Sequence, residues 1–210
     1  MKLYLWGVAP NPRRVKIYLA EKGLQVPTED AGIPNEAALR PDFLAAYPHR
    51  RVPLLVLDDG AHVGEAMAIC RYFETLHPEP CLMGADARER AEIEMWERIA
   101  DNEGLNAAAE FFRNSRKTFA GRGMSGMPGT VEQIPALVER GRQRLGWFYD
   151  KIDQRLGESE FLGGKRFSVA DITALCTVDF AKRAGAEPPA DKKNIARWHA
   201  AVAARPSAKA

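Results

Sequence analysis

The residues whose types and spacing could do chemistry lie between Arg51 and Glu74, in RVPLLVLDDGAHVGEAMAICRYFE. Val52-Pro53 stands directly before a short apolar run. A proline there cannot donate a ladder hydrogen bond, so it fits the start or edge of a strand. A cis bond at Pro53 would turn the Val52 backbone outward. An extended peptide could then pair with it as an added strand. Gly64-Glu65-Ala66 opens a helical pattern, and free N–H groups at a helix start attract a carboxylate. One segment therefore offers a backbone docking strip and an anion site. A small acidic peptide needs both.

The elements that position this segment follow from local pattern. Residues 2–6 alternate and predict a first strand. Pro12 suits a first helical turn, and that helix should run to Lys22 and stop at Gly23. Gly7 to Pro10 reads as the loop between them. Val26–Asp30 is a weak second strand, and Pro41–Tyr47 a short helix closed by Pro48. Leu54–Leu57 and Ala61–Val63 predict a hairpin around Asp58-Asp59-Gly60, followed by a helix over Glu65–His77. Pro78, Pro80 and the small residues up to Ala85 predict a linker.

Beyond the linker the pattern is helical. Asp86–Phe119 is one helix or two, with Gly104 a possible break. Ala120 to Thr130 is rich in Gly and Met and predicts a mobile loop. Thr130–Leu156 and Ala190–Ala204 are helical. Ser168 caps a helix over Ser168–Gly185, with Asp171 at N3 of a capping box and Phe167 stapled onto Ile172.

Composition narrows the function classes. Thirty basic residues nearly cancel 28 acidic ones, and before His77 the split is nine against nine, so neither half presents a basic nucleic-acid surface. No apolar run approaches the ~20 residues of a membrane span, and no signal-peptide pattern follows Met1. Cys70, Cys81 and Cys176 are an odd count without metal-ligand spacing, which predicts a reducing cytoplasm. The four histidines form no metal motif, and no metal is expected.

The ordered motifs resemble the cytosolic glutathione S-transferases. The matching pieces are Ala9-Pro10-Asn11-Pro12-Arg13-Arg14-Val15, Glu21-Lys22-Gly23, Val52-Pro53, Glu65-Ala66, Ala68-Ile69-Cys70-Arg71-Tyr72, Phe167-Ser168-Val169-Ala170-Asp171 and Ala204-Arg205-Pro206-Ser207. The resemblance covers nearly the whole chain. It implies the glutathione S-transferase fold: an α/β thioredoxin-like domain over 1–77 that binds glutathione, and an all-α domain over 87–210 that covers a second substrate.

The resemblance also implies roles. Val52 and Pro53 dock the cysteinyl backbone of glutathione, and Glu65 receives the γ-glutamyl ammonium. Ala66 stands where the family usually has a Ser that binds the γ-glutamyl carboxylate, so only its N–H remains. Arg51 suits the glycyl carboxylate, and Arg40 is a further candidate; Arg50 reads as solvated surface. Ala9 occupies the usual catalytic Ser, Thr or Cys position and offers no side-chain donor. Asn11 is the candidate catalytic donor to the thiolate, and it reads equally as a turn residue before a helix. Tyr4 reads as packing first and as a thiolate donor second. Trp6, Phe111, Phe112 and Phe119 are the expected pocket wall for a small apolar electrophile. Trp96 reads as core, and Asn106, Met124 and Met127 complete that set. Cys70 and Asp171 read as structural.

The implied activity is conjugation of glutathione, as co-substrate, to that electrophile by a cytoplasmic homodimer. The alternatives are a non-catalytic glutathione- or ligand-binding protein, and a glutathione-dependent reductase, dehalogenase or ether-cleaving enzyme. The last is disfavoured because no Cys lies near residue 9.

Overall fold

The structure, a computed structural model, describes residues 1–7, 9–33 and 39–210. Strand β1 (Lys2–Leu5) alternates as its sequence does, with Leu3 and Leu5 buried on one face and Tyr4 directed to the other. Helix α1 (Pro10–Glu21) carries Pro12 in its first turn as expected, but it already begins at Pro10, the last residue of the expected loop, with Ala9 as its N-cap. The loop expected before it includes Val8, which lies outside the described residues. Strand β2 (Thr28–Asp30) pairs parallel to β1. Helix α2 (Pro41–Ala46) leads to strands β3 (Leu54–Val56) and β4 (His62–Gly64), which are antiparallel to their neighbours. The sheet order is β2-β1-β3-β4. Helix α3 (Ala66–Leu76) closes this part.

The expected break at Gly104 takes the form of a π-turn rather than an end. Helix α4 (Ala87–Ile99) passes through a π-helical stretch over Ala100–Leu105 into α5 (Asn106–Ser115). Single π turns of this kind shift the phase of the side chains that follow. The glycine is required there by packing. A Cβ on Gly104 would lie 2.8 Å from the Phe148 ring and 2.9 Å from Thr177 Cγ2.

Helix α6 (Pro135–Glu158) starts later than Thr130, because residues 121–123 and 131 first pair with each other. Helix α7 (Val169–Ala184) is buried along nearly its whole length and ends at Gly185 in the left-handed region. Helix α8 (Lys193–Ala203) packs against α6. Among the described residues no helix is long and apolar enough to cross a membrane.

The packing does not divide where the strands stop. One core runs from Leu3, Val15 and Ile69 through Ile93 and Phe148 to Trp198. A small second cluster of Ala31, Phe43, Tyr47 and Leu54 lies on the opposite sheet face, under α2.

Buried polar contacts tie α1 to the helices through Arg14 and to the linker through Lys22. Arg14 of α1 is buried beside the buried carboxylate of Glu97 and also bonds Asp101 at 2.9 Å. Lys22 donates to the carbonyls of His77, Pro78 and Pro80 and pairs with Glu74 at 2.6 Å. Its side chain is fully buried. The linker is therefore pinned to α1, the satisfied state a buried ammonium needs.

Candidate functional site

Val52-Pro53 is cis, as the sequence predicts. Val52 lies just outside β3, and among the described residues its N–H and C=O take no backbone hydrogen bond. Its main chain is thus free to pair with an extended peptide.

Glu65 is the N-cap of α3 and holds a positive φ of 67°, uncommon for a residue with a side chain. Such a backbone at a helix start is a functional signal when its surroundings hold it there. Ala66 follows it, buried, at the first helical position. The Glu65 side chain is exposed, with one oxygen 3.7 Å from Arg51 Nη1. That spacing is a loose ion pair, which leaves both groups free for other partners.

Arg51 is placed from the other side by the Gly- and Met-rich loop. Its Nη2 donates to the Ser125 carbonyl at 3.4 Å. Its stem lies against Gly126, where a Cβ would stand 2.4 Å from Nε. Gly126 also has a positive φ of 78°. A cleft of about 660 Å³ results, lined by Tyr47, His49, Arg51, His62, Glu65 and Met127 among others.

The other expected site residues divide. Arg40 is not in this cleft. Its guanidinium sits at the start of α2 between Glu29 and Asp42, at 2.5 and 3.0 Å. Those carboxylates occupy the charge that was expected to meet a ligand. Ala9 caps α1 with no side-chain bond. Asn11 lies in the first turn of α1, and its Oδ1 accepts from Arg14 Nη1 at 2.9 Å. It faces the joint with Asp101 and does not line the cleft. Trp6 wedges against Gly32, where a Cβ would lie 2.4 Å from the indole. Tyr4 packs on Phe43 with ring centroids 5.6 Å apart, in accord with the packing reading.

Phe111 is a correction. It is buried between α5 and α6, against Gly141 and under the Arg142 guanidinium, so it lines no open pocket. Phe119 is buried as well and does not line the cleft; it meets Phe112 edge to face at 5.1 Å, and Phe112 also meets Phe180. Arg113 and Arg122 lie over the Phe119 ring. Desolvation, then the charges of Arg122 and Arg51, lower the Arg113 pKa from its ordinary value. Trp96 is half-buried, with Arg155 over its ring.

Cys70 is buried, and burial pushes its thiol up to about 12, which makes it a poor nucleophile. Asp171 completes the capping box with Ser168 and also accepts from Leu162 N–H and Trp198 Nε1. Its full burial pushes the carboxyl up to about 6, while those bonds hold it down. Among the described residues no group of three side chains could hold a metal.

The cleft has members that the sequence did not single out. Tyr47 stands at the end of α2, between the rings of His49 and His62. No motif marks these residues, because strand pairing and the α2 turn bring them together.

Comparison with known proteins follows the same lines. The pattern described as "Glutathione S-transferase, N-terminal domain" matches residues 8–76. That for the "Glutathione S-transferase, C-terminal domain" matches residues 103–206. A glutathione S-transferase domain-containing protein of Marinobacter aquaeolei is 33% identical, with 99% of each chain covered and a TM-score of 0.88. A glutathione S-transferase of class Gtt2 from Vibrio parahaemolyticus is 34% identical over 99% of this chain and 94% of its own, with a TM-score of 0.82. Glutathione S-transferase 2 of Saccharomyces cerevisiae is 29% identical over 100% of this chain and 88% of its own.

Proposed function

The chain belongs to the glutathione S-transferase family and is a glutathione transferase, and from that premise we propose that it conjugates glutathione to a small apolar electrophile. The observation that carries this reading is the cleft itself. Arg51 and Glu65 line one ligand-sized space, and the unpaired Val52 backbone and the start of α3 are their direct neighbours in the chain. In this reading Val52 and Pro53 hold the cysteinyl backbone. Glu65 takes the γ-glutamyl ammonium, the Ala66 N–H its carboxylate, and Arg51 the glycyl carboxylate. A free thiol near pKa ~8.5 is only a few per cent thiolate at neutral pH, so the site must also favour the anion. Asn11, although outside the residues that line the cleft, and the start of α1 are the groups proposed for that. Met127 lines the cleft, and Trp6 and Phe112 are the aromatic residues proposed for the rest of the apolar wall. The protein acts in the cytoplasm as a homodimer, with α3 of one copy against α4 of the other. Leu76 and Met95 on those helices are exposed in the single chain.

A second reading, non-catalytic binding of glutathione, is favoured by one observation: the α1 N-cap, Ala9, has no side-chain donor. The reductase, dehalogenase and ether-cleaving readings stay weaker. Cys70 and Cys176 are buried, and Cys81 lies on the linker.

Calorimetric titration with glutathione, followed by turnover assays over aryl halides, hydroperoxides and aryl ethers, tests the proposal. Saturable binding with aryl-halide turnover is the expected result. Binding without turnover on any of these replaces conjugation with the second reading.

A further inference from the structure

The space around Ala66 is short of one hydroxyl for a ligand carboxylate. A hydroxyl that lines the same cleft as Gly64 and Glu65 is the phenol of Tyr47. The chain reverses at the end of α2, and Tyr47 turns its ring across the end of β4. A Cβ on Gly64 would lie 2.0 Å from Tyr47 Oη and 3.2 Å from Cζ. The phenol therefore reaches this point only because residue 64 has no side chain. Gly64 is the residue directly before Glu65 and Ala66, so the hydroxyl stands beside the chain that builds the anion site.

The ring is held rather than loose. His49 and His62 flank it at 5.1 and 5.9 Å, and Phe43 packs on it at 6.0 Å. Tyr47 is only 8% exposed, yet it lines the cleft with Arg51 and Glu65. Its hydroxyl has no hydrogen-bond partner among the described residues, and it is not a sealed, orphaned atom. A held phenol that opens to a cleft and bonds nothing in the protein is a donor in waiting. Burial, then the Glu65 carboxylate, push its pKa up from the ordinary value, with Arg51 opposing. It therefore keeps its proton at neutral pH and can donate.

We propose that the Tyr47 hydroxyl replaces the hydroxyl missing at residue 66 and donates to the γ-glutamyl carboxylate of glutathione. The proposal rests on the glutathione reading above and adds a specificity-determining residue to it. Arg51, Glu65 and Tyr47 then present a cation, an anion and a neutral donor to a ligand carrying two carboxylates and one ammonium. The arrangement also gives Gly64 a role, since any side chain there would displace the phenol.

The test is calorimetric titration of the full-length protein with two ligands. One is glutathione; the other is 4-aminobutyryl-cysteinyl-glycine, which keeps the amine and lacks the γ-glutamyl carboxylate. Tyr47→Phe should weaken glutathione binding about tenfold or more and leave the analogue unchanged, with no fall in melting temperature. Adding Ala66→Ser to Tyr47→Phe should restore much of the lost affinity. Equal glutathione affinity in Tyr47→Phe and parent overturns the proposal. So does an equal loss on both ligands, which would make Tyr47 a packing residue. A parent that takes up no glutathione ends the underlying reading, and this one with it.

Discussion

Arg14 Nη1 stands 2.9 Å from the amide oxygen of Asn11, and the same nitrogen stands 2.9 Å from a carboxylate oxygen of Asp101. The guanidinium can only donate, so the Asn11 oxygen must face it. The amide NH2 is then directed away from the joint, with no partner among the described residues. Arg14 thus fixes which end of Asn11 is offered as a donor. It is itself fixed by Glu97, a buried carboxylate that also accepts from Thr173.

That orientation predicts the thiolate chemistry. Asn11→Ala should raise the apparent pKa of bound glutathione by roughly one to two units, the worth of one hydrogen bond to a charged group. Tyr4→Phe should leave it unchanged, and Ala9→Ser should lower it. Thiolate absorbance against pH reads all three. A rise in Tyr4→Phe with none in Asn11→Ala would move the donor to Tyr4.

The Arg51 and Glu65 assignments predict binding losses. Each makes a charge-assisted contact worth about 1.5–3 kcal/mol, or roughly 10- to 150-fold in affinity. Titration of Arg51→Ala and Glu65→Ala with glutathione should show losses in that range. Variants that bind as tightly as the parent would remove both residues from the site. Arg40→Ala should bind as the parent does, since Glu29 and Asp42 already hold that side chain.

Gly104→Ala should destabilise the fold by about 1–3 kcal/mol, the usual cost of overpacking a core. The new methyl would press on Phe148 and Thr177. Urea unfolding measures this, and an unchanged midpoint would mean that the π-turn yields freely.

Arg205 and Ser207, beyond α8, donate to the Glu21 carboxylate at the end of α1, and this contact predicts a pH dependence. Burial raises the Glu21 carboxyl, but bonds from Arg205 and Ser207 outweigh it and hold the pKa below the usual value. A carboxylate depressed in the folded state stabilises fully above its unfolded pKa of ~4.3. That contribution fades as pH falls through the lower folded value. Glu21→Gln should therefore cost about 1–2 kcal/mol at neutral pH, allowing for partial exposure. The cost should shrink below about pH 4. A stability difference that does not change with pH would place the effect in packing.

Sedimentation at micromolar concentration should give the mass of a dimer. Met95→Glu, on the exposed side of α4, should shift it toward the monomer. A parent that sediments as a stable monomer would end the dimer proposal.

Much of the site was legible because its signals are local. Val52-Pro53, the acid at a helix start, and the Ser168–Asp171 capping box are fixed by neighbours within a few residues. The rest depends on partners distant in sequence. Arg40 reads as a free cation until β2 brings Glu29 beside it. Phe111 and Phe112 are adjacent aromatics, and periodicity does not tell which one another helix covers; α6 covers the first. Tyr47 carries no motif, because its importance comes from a missing side chain at Gly64. The Arg14–Glu97 pair joins residues 83 positions apart, beyond any spacing rule.

Lys22 has a consequence for how ligands come and go. Its fully buried ammonium binds three linker carbonyls and one carboxylate. With the linker fixed to α1 in this way, swinging the sheet half away from the helical half would part the buried Arg14 charge from Glu97 and Asp101. The molecule is accordingly a clamped body with no jaw to open. Entry and exit then fall to a cover that rests on the cleft lightly, the stretch around Ser125–Met127, which touches Arg51 through one long hydrogen bond and the face of a glycine.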